Sequence, residues 1–102
     1  HNDTKINNVM LHKETNKGLC VIDLDTVMPG TVLFDFGDMV RTSTSPVAED
    51  EKDISKVTMQ IDIFEALVKG YMSELKPELT QDEVSNLVFG AYLIVFEQAV
   101  RF

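Results

Sequence analysis

Residues 1–25, HNDTKINNVMLHKETNKGLCVIDLD, decide the fold of this chain. Two short apolar runs, 9–11 and 19–22, enclose a polar segment with Asn16 and Gly18, residue types that readily adopt the positive φ of a tight turn. We therefore predict two strands joined as a β-hairpin. Polar residues precede the first strand and aspartates follow the second, so the hairpin should bring both polar sets to the same end.

Three helices are predicted after the hairpin. Apolar spacing from Val32 to about Thr42 fits three helical turns, although Gly37 lowers the propensity of that segment. A second, amphipathic helix is predicted from about Asp62, a candidate N-cap, to Leu75, and Pro77 ends it. Thr80-x-x-Glu83 is a capping-box signature, which predicts a third helix running to the end of the chain.

The apolar composition of the third helix indicates that the chain is part of a larger domain. From Leu87 to Phe96 every residue is apolar or Gly, and such a helix belongs in the centre of a larger bundle. Ten apolar residues are too few to span a bilayer. The chain also begins with His1 inside its most polar motif. We therefore expect one partial domain spanning 1–102, a fragment that self-associates through its apolar C-terminal helix.

Composition restricts the partners. Seventeen Asp+Glu against nine Lys+Arg give a net charge of −8, which repels nucleic acid and anionic membrane surfaces. The lone Cys20, in an apolar run, cannot form an internal disulfide. We expect it to be a buried small hydrophobe in a reducing compartment, the cytoplasm.

The segment His1-x-Asp3-x-Lys5-x-x-Asn8 has the order and spacing of the protein-kinase catalytic loop, H-R-D-x-x-x-x-N. Phosphoryl transfer needs a carboxylate beside the attacking hydroxyl and oxygen ligands for Mg²⁺. Asp3 can supply the first and the Asn8 amide oxygen one of the second. The hairpin returns the chain to the same end, so Asp23 should lie beside Asn8 as a further metal ligand.

Two departures from the protein-kinase pattern are informative: Asn2 replaces Arg, and Asp23-Leu24-Asp25 replaces Asp-Phe-Gly. With both, the chain resembles the aminoglycoside phosphotransferase and choline kinase superfamily of small-molecule kinases. The runs VIDLDTVMPG (21–30) and FDFGD (34–38) are most similar to the N-acetylhexosamine 1-kinase group within it. The resemblance implies an α+β fold: a protein-kinase-like C-lobe fragment, lacking the N-lobe, with a short catalytic hairpin packed on three helices.

The resemblance also implies roles at the front of the chain. Asp3 would be the catalytic base on the sugar's anomeric hydroxyl, and Lys5 would steady the transferred phosphate. A surface lysine without a catalytic role is the alternative for Lys5. Asn8 and Asp23 would hold Mg²⁺, the implied cofactor, with ATP as co-substrate.

Three further residues are assigned through the resemblance. His1 would brace the catalytic loop by hydrogen bonding, and Asp35 would hold the loop's backbone from the following segment. Arg101 would face the sugar pocket. An ion pair with Glu97, one helical turn earlier, is the alternative for Arg101.

These observations predict an ATP-dependent phosphotransferase in the full-length protein, acting on the anomeric O1 of an N-acetylhexosamine. The fragment alone should be inactive, because one wall of the nucleotide cleft is expected to lie outside it. Choline, an aminoglycoside or homoserine are alternative acceptors. In another class altogether, the chain could be a non-catalytic helical module that functions by association.

Overall fold

The predicted hairpin is present in the computed structural model, which describes residues 1–101. Strands β1 (Val9–Leu11) and β2 (Gly18–Val21) pair antiparallel, with Val9 opposite Val21 and a register shift after Met10. One further hydrogen bond, from the Ile22 N–H to the Asn8 carbonyl at 2.9 Å, extends the pairing beyond the strand ends. It makes Asp23 the first residue beyond that bonded pair.

The hairpin is more exposed than expected. All four residues of β2 are exposed, and so are Met10 and Leu11 of β1. The prediction that Cys20 is buried is therefore wrong. The helices pack against one another and leave both faces of this narrow ribbon uncovered, so the hairpin is attached to the helices through residues 1–8 and is not packed on them. The cytoplasmic location stays a prediction.

The three helices are α1 (Val32–Ser43), α2 (Ile61–Leu75) and α3 (Gln81–Arg101). The capping box of α3 is confirmed, because the Thr80 N–H donates to Glu83 Oε2 at 2.7 Å and the Glu83 N–H donates to Thr80 Oγ1 at 3.2 Å. The hydrogen bonds that the Thr80 N–H and the Thr80 hydroxyl donate to the Glu83 carboxylate lower the pKa of Glu83.

The predicted N-cap of α2 is wrong. Gln60 occupies the cap position, and Asp62 lies in the first turn. There its negative charge interacts favourably with the positive end of the helix dipole, although its side chain makes no capping hydrogen bond. The predicted continuation of α3 to the end of the chain falls on Phe102, which lies outside the described residues.

The core lies between the helices. Phe36 of α1 is 2% exposed and meets Tyr71 of α2 edge-to-face, with ring centroids 5.0 Å apart. Val40 and Leu87 complete the buried cluster. Partly buried residues surround it: Leu33, Phe64, Leu67, Val68, Tyr71, Met72, Leu79 and Ala91.

Helices α1 and α3 touch at two glycines. A Cβ atom on Gly37 would lie 2.5 Å from the Gly90 carbonyl oxygen, and one on Gly90 would lie 2.7 Å from the Leu33 carbonyl oxygen. Real side chains do not approach backbone so closely, so only glycine fits at either position. Gly37, which lowers the helix propensity of α1, is therefore the residue that allows α3 to pack closely against α1.

The opposite face of α3 is uncovered in the described chain. Six large apolar residues of α3 are each more than half exposed: Val88, Phe89, Tyr92, Val95, Phe96 and Val100. By length and composition alone, α3 could cross a membrane, with a mean hydropathy of 1.2 over 18 residues. Core helices of soluble proteins have the same property, and α3 buries Leu87, Gly90 and Ile94 against the rest of the chain. The absence of a membrane partner stays a prediction.

Candidate active site

Asp35, in the first turn of α1, holds the loop at residues 1–5. Its carboxylate accepts from the backbone nitrogen of His1 at 3.0 Å and from the Asn2 N–H at 2.7 Å. Its carbonyl oxygen accepts from Thr4 Oγ1 at 2.6 Å. These are the contacts through which Asp35 would brace the loop.

His1 ties the same loop to the segment after β2. Its Nε2 lies 3.0 Å from the Ile22 carbonyl oxygen, and its own carbonyl accepts from Thr26 Oγ1 at 2.7 Å. A carbonyl only accepts, so Nε2 carries the proton in this contact. Nδ1 is buried with no hydrogen-bond partner among residues 1–101.

Asp3, Lys5 and Asn8 form one polar cluster. The Asn8 side chain is buried, and its Nδ2 donates to the Asp3 carbonyl at 2.8 Å and to Asp3 Oδ2 at 3.1 Å. Lys5 Nζ lies 3.2 Å from the same carboxylate oxygen. The hydrogen bond to Asp3 and the charge of Asp3 raise the pKa of Lys5, which therefore stays cationic at neutral pH.

Asp23 has a left-handed backbone, with φ 59° and ψ 66°. This region is uncommon for residues other than glycine, and such strain concentrates at functional sites. Its carboxylate makes no hydrogen bond or ion pair with residues 1–101, but its charge helps to raise the pKa of Lys5. Asp23 therefore lies within electrostatic reach of the cluster, with a carboxylate available for a ligand.

The donor set fits the hard-cation chemistry of Mg²⁺, which prefers oxygen ligands and keeps open positions for water and phosphates. Because Asn8 uses its Nδ2 toward Asp3, its Oδ1 is left for a ligand. Asp23 would contribute a carboxylate. Within residues 1–101, no three His, Cys, Asp or Glu side chains converge on a metal position, so the protein ligands alone form an incomplete shell.

Arg101 lines a cleft of about 310 Å³ between the loop at residues 1–5, the turn after β2, helix α1 and the C-terminal part of α3. Among the described residues no ion pair joins it to Glu97, so the alternative drawn from the sequence is not found. The cleft combines polar and apolar side chains: Asn2, Met28, Pro29, Gly30, Phe34, Asp38, Ile94, Glu97, Gln98 and Arg101.

The wall of this cleft includes Asp38, whose ion pair with Arg41 was not predicted from the sequence. Asp38 is buried, and its Oδ1 accepts from Arg41 Nη2 at 2.8 Å and Nε at 3.2 Å. Burial opposes the charge of Arg41, but the bonds to Asp38 and Glu49 outweigh burial and raise its pKa. The i, i+3 spacing of Asp38 and Arg41 was the available signal.

A family model for the phosphotransferase enzyme family (APH) matches residues 1–56, more than half of the 102-residue chain. The matched segment contains the catalytic-loop motif, the hairpin, Asp23 and Asp35. The chain belongs to this phosphotransferase family.

Proposed function

We propose that the full-length protein carrying this chain is an ATP-dependent kinase of a small-molecule hydroxyl, and that its acceptor is the anomeric O1 of an N-acetylhexosamine. The main structural support for this proposal is the Asp3 carboxylate, whose Oδ2 lies 3.1 Å from Asn8 Nδ2 and 3.2 Å from Lys5 Nζ. Family membership supports phosphoryl transfer. The acceptor is supported by the resemblance of runs 21–30 and 34–38 to N-acetylhexosamine 1-kinases. The parent fold is proposed to be protein-kinase-like, with this chain in its C-lobe.

Asp3 is assigned the role of general base. Asn8 and Lys5 hold one of its carboxylate oxygens, which leaves Oδ1 to accept the proton of the acceptor hydroxyl. As that hydroxyl oxygen bonds to the γ-phosphorus, its proton passes to Asp3 and the bond from phosphorus to the leaving oxygen of ADP breaks. Lys5, whose Nζ lies 3.2 Å from Asp3 Oδ2, would offset negative charge on the transferred phosphoryl group.

Asn8 Oδ1 and the Asp23 carboxylate would hold Mg²⁺, which, when bound, neutralises charge on the phosphate oxygens. The left-handed backbone of Asp23 directs the chain away from the hairpin immediately after the Asn8–Ile22 bond. This arrangement keeps Asp23 at the same end of the ribbon as Asn8.

The acceptor is assigned to the cleft beside Asn2. Its volume of about 310 Å³ is at the small end of the range of ligand pockets. Arg101 and Gln98 can donate hydrogen bonds to hydroxyl or acyl oxygens, and Glu97 can accept from hydroxyls. Phe34 offers an apolar surface to a sugar ring. Such a mixture suits a polyol with one apolar face.

An acceptor panel tests the proposal. The full-length protein is incubated with ATP, Mg²⁺ and one of five acceptors: N-acetylglucosamine, N-acetylgalactosamine, choline, an aminoglycoside or homoserine. We expect the two N-acetylhexosamines to give the highest kcat/KM, with phosphate on O1 by NMR. Turnover on another acceptor alone would replace the substrate assignment, and no turnover on any would contradict the kinase assignment.

The metal assignment predicts graded Mg²⁺ dependence. Asp23→Ala removes a charged ligand and should abolish turnover or raise the Mg²⁺ requirement steeply, whereas Asn8→Ala removes a neutral ligand and should have a smaller effect. The measurement is a Mg²⁺ titration of initial rate. Asp25→Ala, an exposed aspartate two residues away, is the matched control and should follow the wild type. Superimposable titrations of Asp23→Ala and the wild type would make Asp23 structural.

The exposed face of α3 supports the second candidate, association without catalysis. Tyr92 is 73% exposed and Phe96 is 67% exposed. Large contiguous patches of exposed apolar side chains are uncommon on soluble monomers. We expect the 102-residue chain alone to self-associate in light scattering across a concentration series and to lack measurable ATP binding by calorimetry. A strictly monomeric chain that binds Mg-ATP at micromolar concentration would contradict both expectations.

A further inference from the structure

Asn2 occupies the position at which this chain departs from the protein-kinase loop, and its backbone is left-handed, with φ 63°. Asparagine is one of the few residues other than glycine that tolerates this conformation. Asn2 directly precedes Asp3, so its backbone angles determine the direction in which the Asp3 side chain leaves the loop. A residue that prefers negative φ would turn Asp3 away from its present position.

The side chain of Asn2 joins the loop to the turn after β2. Its Nδ2 donates to the Thr26 carbonyl at 3.1 Å, and its Oδ1 lies 3.2 Å from the position that a Cβ on Gly30 would occupy. On the backbone side, the Asn2 N–H donates to Asp35 at 2.7 Å. Asn2 is therefore fixed by both its backbone and its side chain.

Asn2 also lines the cleft that contains Arg101. One residue thus borders the cleft assigned to the acceptor and precedes the residue assigned as the base. A misplacement of about 1 Å between reacting groups can cost roughly 100-fold in rate, so a residue that joins these two parts of the site is a candidate for positioning them.

We propose that Asn2 is a positioning residue: its left-handed backbone and its bond to Thr26 set the placement of Asp3 relative to an acceptor in the Arg101 cleft. The inference rests on the proposed phosphotransferase function. It assigns to Asn2 no contact with the reacting atoms.

Two substitutions separate the backbone effect from the side-chain effect. Asn2→Gly keeps the left-handed conformation and removes only the bond to Thr26, so kcat should fall about tenfold, as for loss of one hydrogen bond. Asn2→Ala removes the bond and disfavours the left-handed backbone, so kcat should fall about 100-fold through misplacement of Asp3. The KM for ATP should change little in both variants, because Asn2 is assigned no contact with the nucleotide.

Asn16 provides the matched control, because it is also left-handed, with φ 55°, but lies in the exposed hairpin turn. Asn16→Ala carries the same backbone penalty and should leave kcat unchanged. Thermal unfolding of every variant is measured alongside. A purely structural role for Asn2 would lower the melting temperature and the active fraction without changing the kcat of the folded protein.

The experiment uses the full-length protein with ATP, Mg²⁺ and N-acetylglucosamine, with kcat corrected for the folded fraction. If Asn2→Ala does not fold, Asn2→Gly decides: a tenfold fall supports the inference, and wild-type kcat overturns it. A higher kcat in Asn2→Gly than in Asn2→Ala supports the contribution of the left-handed backbone. Equal kcat in the wild type and both variants overturns the whole inference. A wild-type protein that phosphorylates no acceptor overturns the proposed function as well.

Discussion

Asp3→Asn in the full-length protein is expected to lower kcat by roughly 10²–10⁴-fold, the range typical of a positioned acid–base group. Asparagine keeps the size of the side chain and an oxygen that can accept from Asn8, but it removes the proton acceptor and its charge. Binding of ATP should change little, because the triphosphate does not need the base. The measurement is steady-state kinetics with both substrates varied.

Asp25→Asn is the matched control for this substitution. Asp25 is exposed, two residues after Asp23, and has no assigned role in the reaction. Its variant should retain wild-type kcat. If Asp3→Asn also retains near-wild-type turnover in an active protein, Asp3 is not the base.

Gly37→Ala and Gly90→Ala are each expected to destabilise the fold by about 3 kcal/mol, the upper end of the overpacking range. The new methyl group on residue 37 would meet the Gly90 carbonyl oxygen at 2.5 Å, and that on residue 90 would meet the Leu33 carbonyl oxygen at 2.7 Å. Backbone atoms cannot rotate aside as a side chain can, so α1 and α3 must separate. Urea unfolding of the full-length protein measures the change in the free energy of unfolding.

Gly70→Ala is the control for helix propensity. Gly70 lies in α2, and a Cβ there would have no heavy atom within 4 Å. Alanine should stabilise this exposed helical position by about 0.5–1 kcal/mol, since glycine costs that much in a helix. Equal effects at positions 37 and 70 would mean that α1 and α3 do not pack through their glycines.

Local rules predicted the elements well where their cause is local. The hairpin turn has the predicted positive φ at Asn16, at 55°, whereas Gly18 pairs with Leu11 in β2 without a positive φ. The start of α3 depends on bonds between Thr80 and Glu83, which are three residues apart. The N-cap prediction for α2 was wrong because Asp62 is a good capping residue type, whereas the cap position falls on Gln60, whose N–H donates to the Thr44 carbonyl at 2.9 Å. That bond joins residues that are sixteen apart.

Burial was the harder prediction. Cys20 has apolar neighbours in sequence, yet it is exposed because no helix covers the hairpin. In contrast, Asp38 is an acidic residue on a helix, yet it is buried, with Oδ1 paired to Arg41 and Oδ2 without a hydrogen-bond partner among residues 1–101. Whether a residue is covered depends on which elements dock on it, which neighbours in sequence do not encode.

The sequence alone determined the class of chemistry: the order and spacing of His1, Asp3 and Asn8, followed by a hairpin that ends at Asp23, are local properties of 23 residues. Only the tertiary structure decided how Asp35 holds the loop, why Gly37 and Gly90 must be glycine, and that Arg101 borders the same cleft as Asn2. The physical reason is the range of the interactions. Turns and caps are set by bonds across a few residues, whereas the cleft is formed by segments almost 100 residues apart that meet when α3 docks on α1.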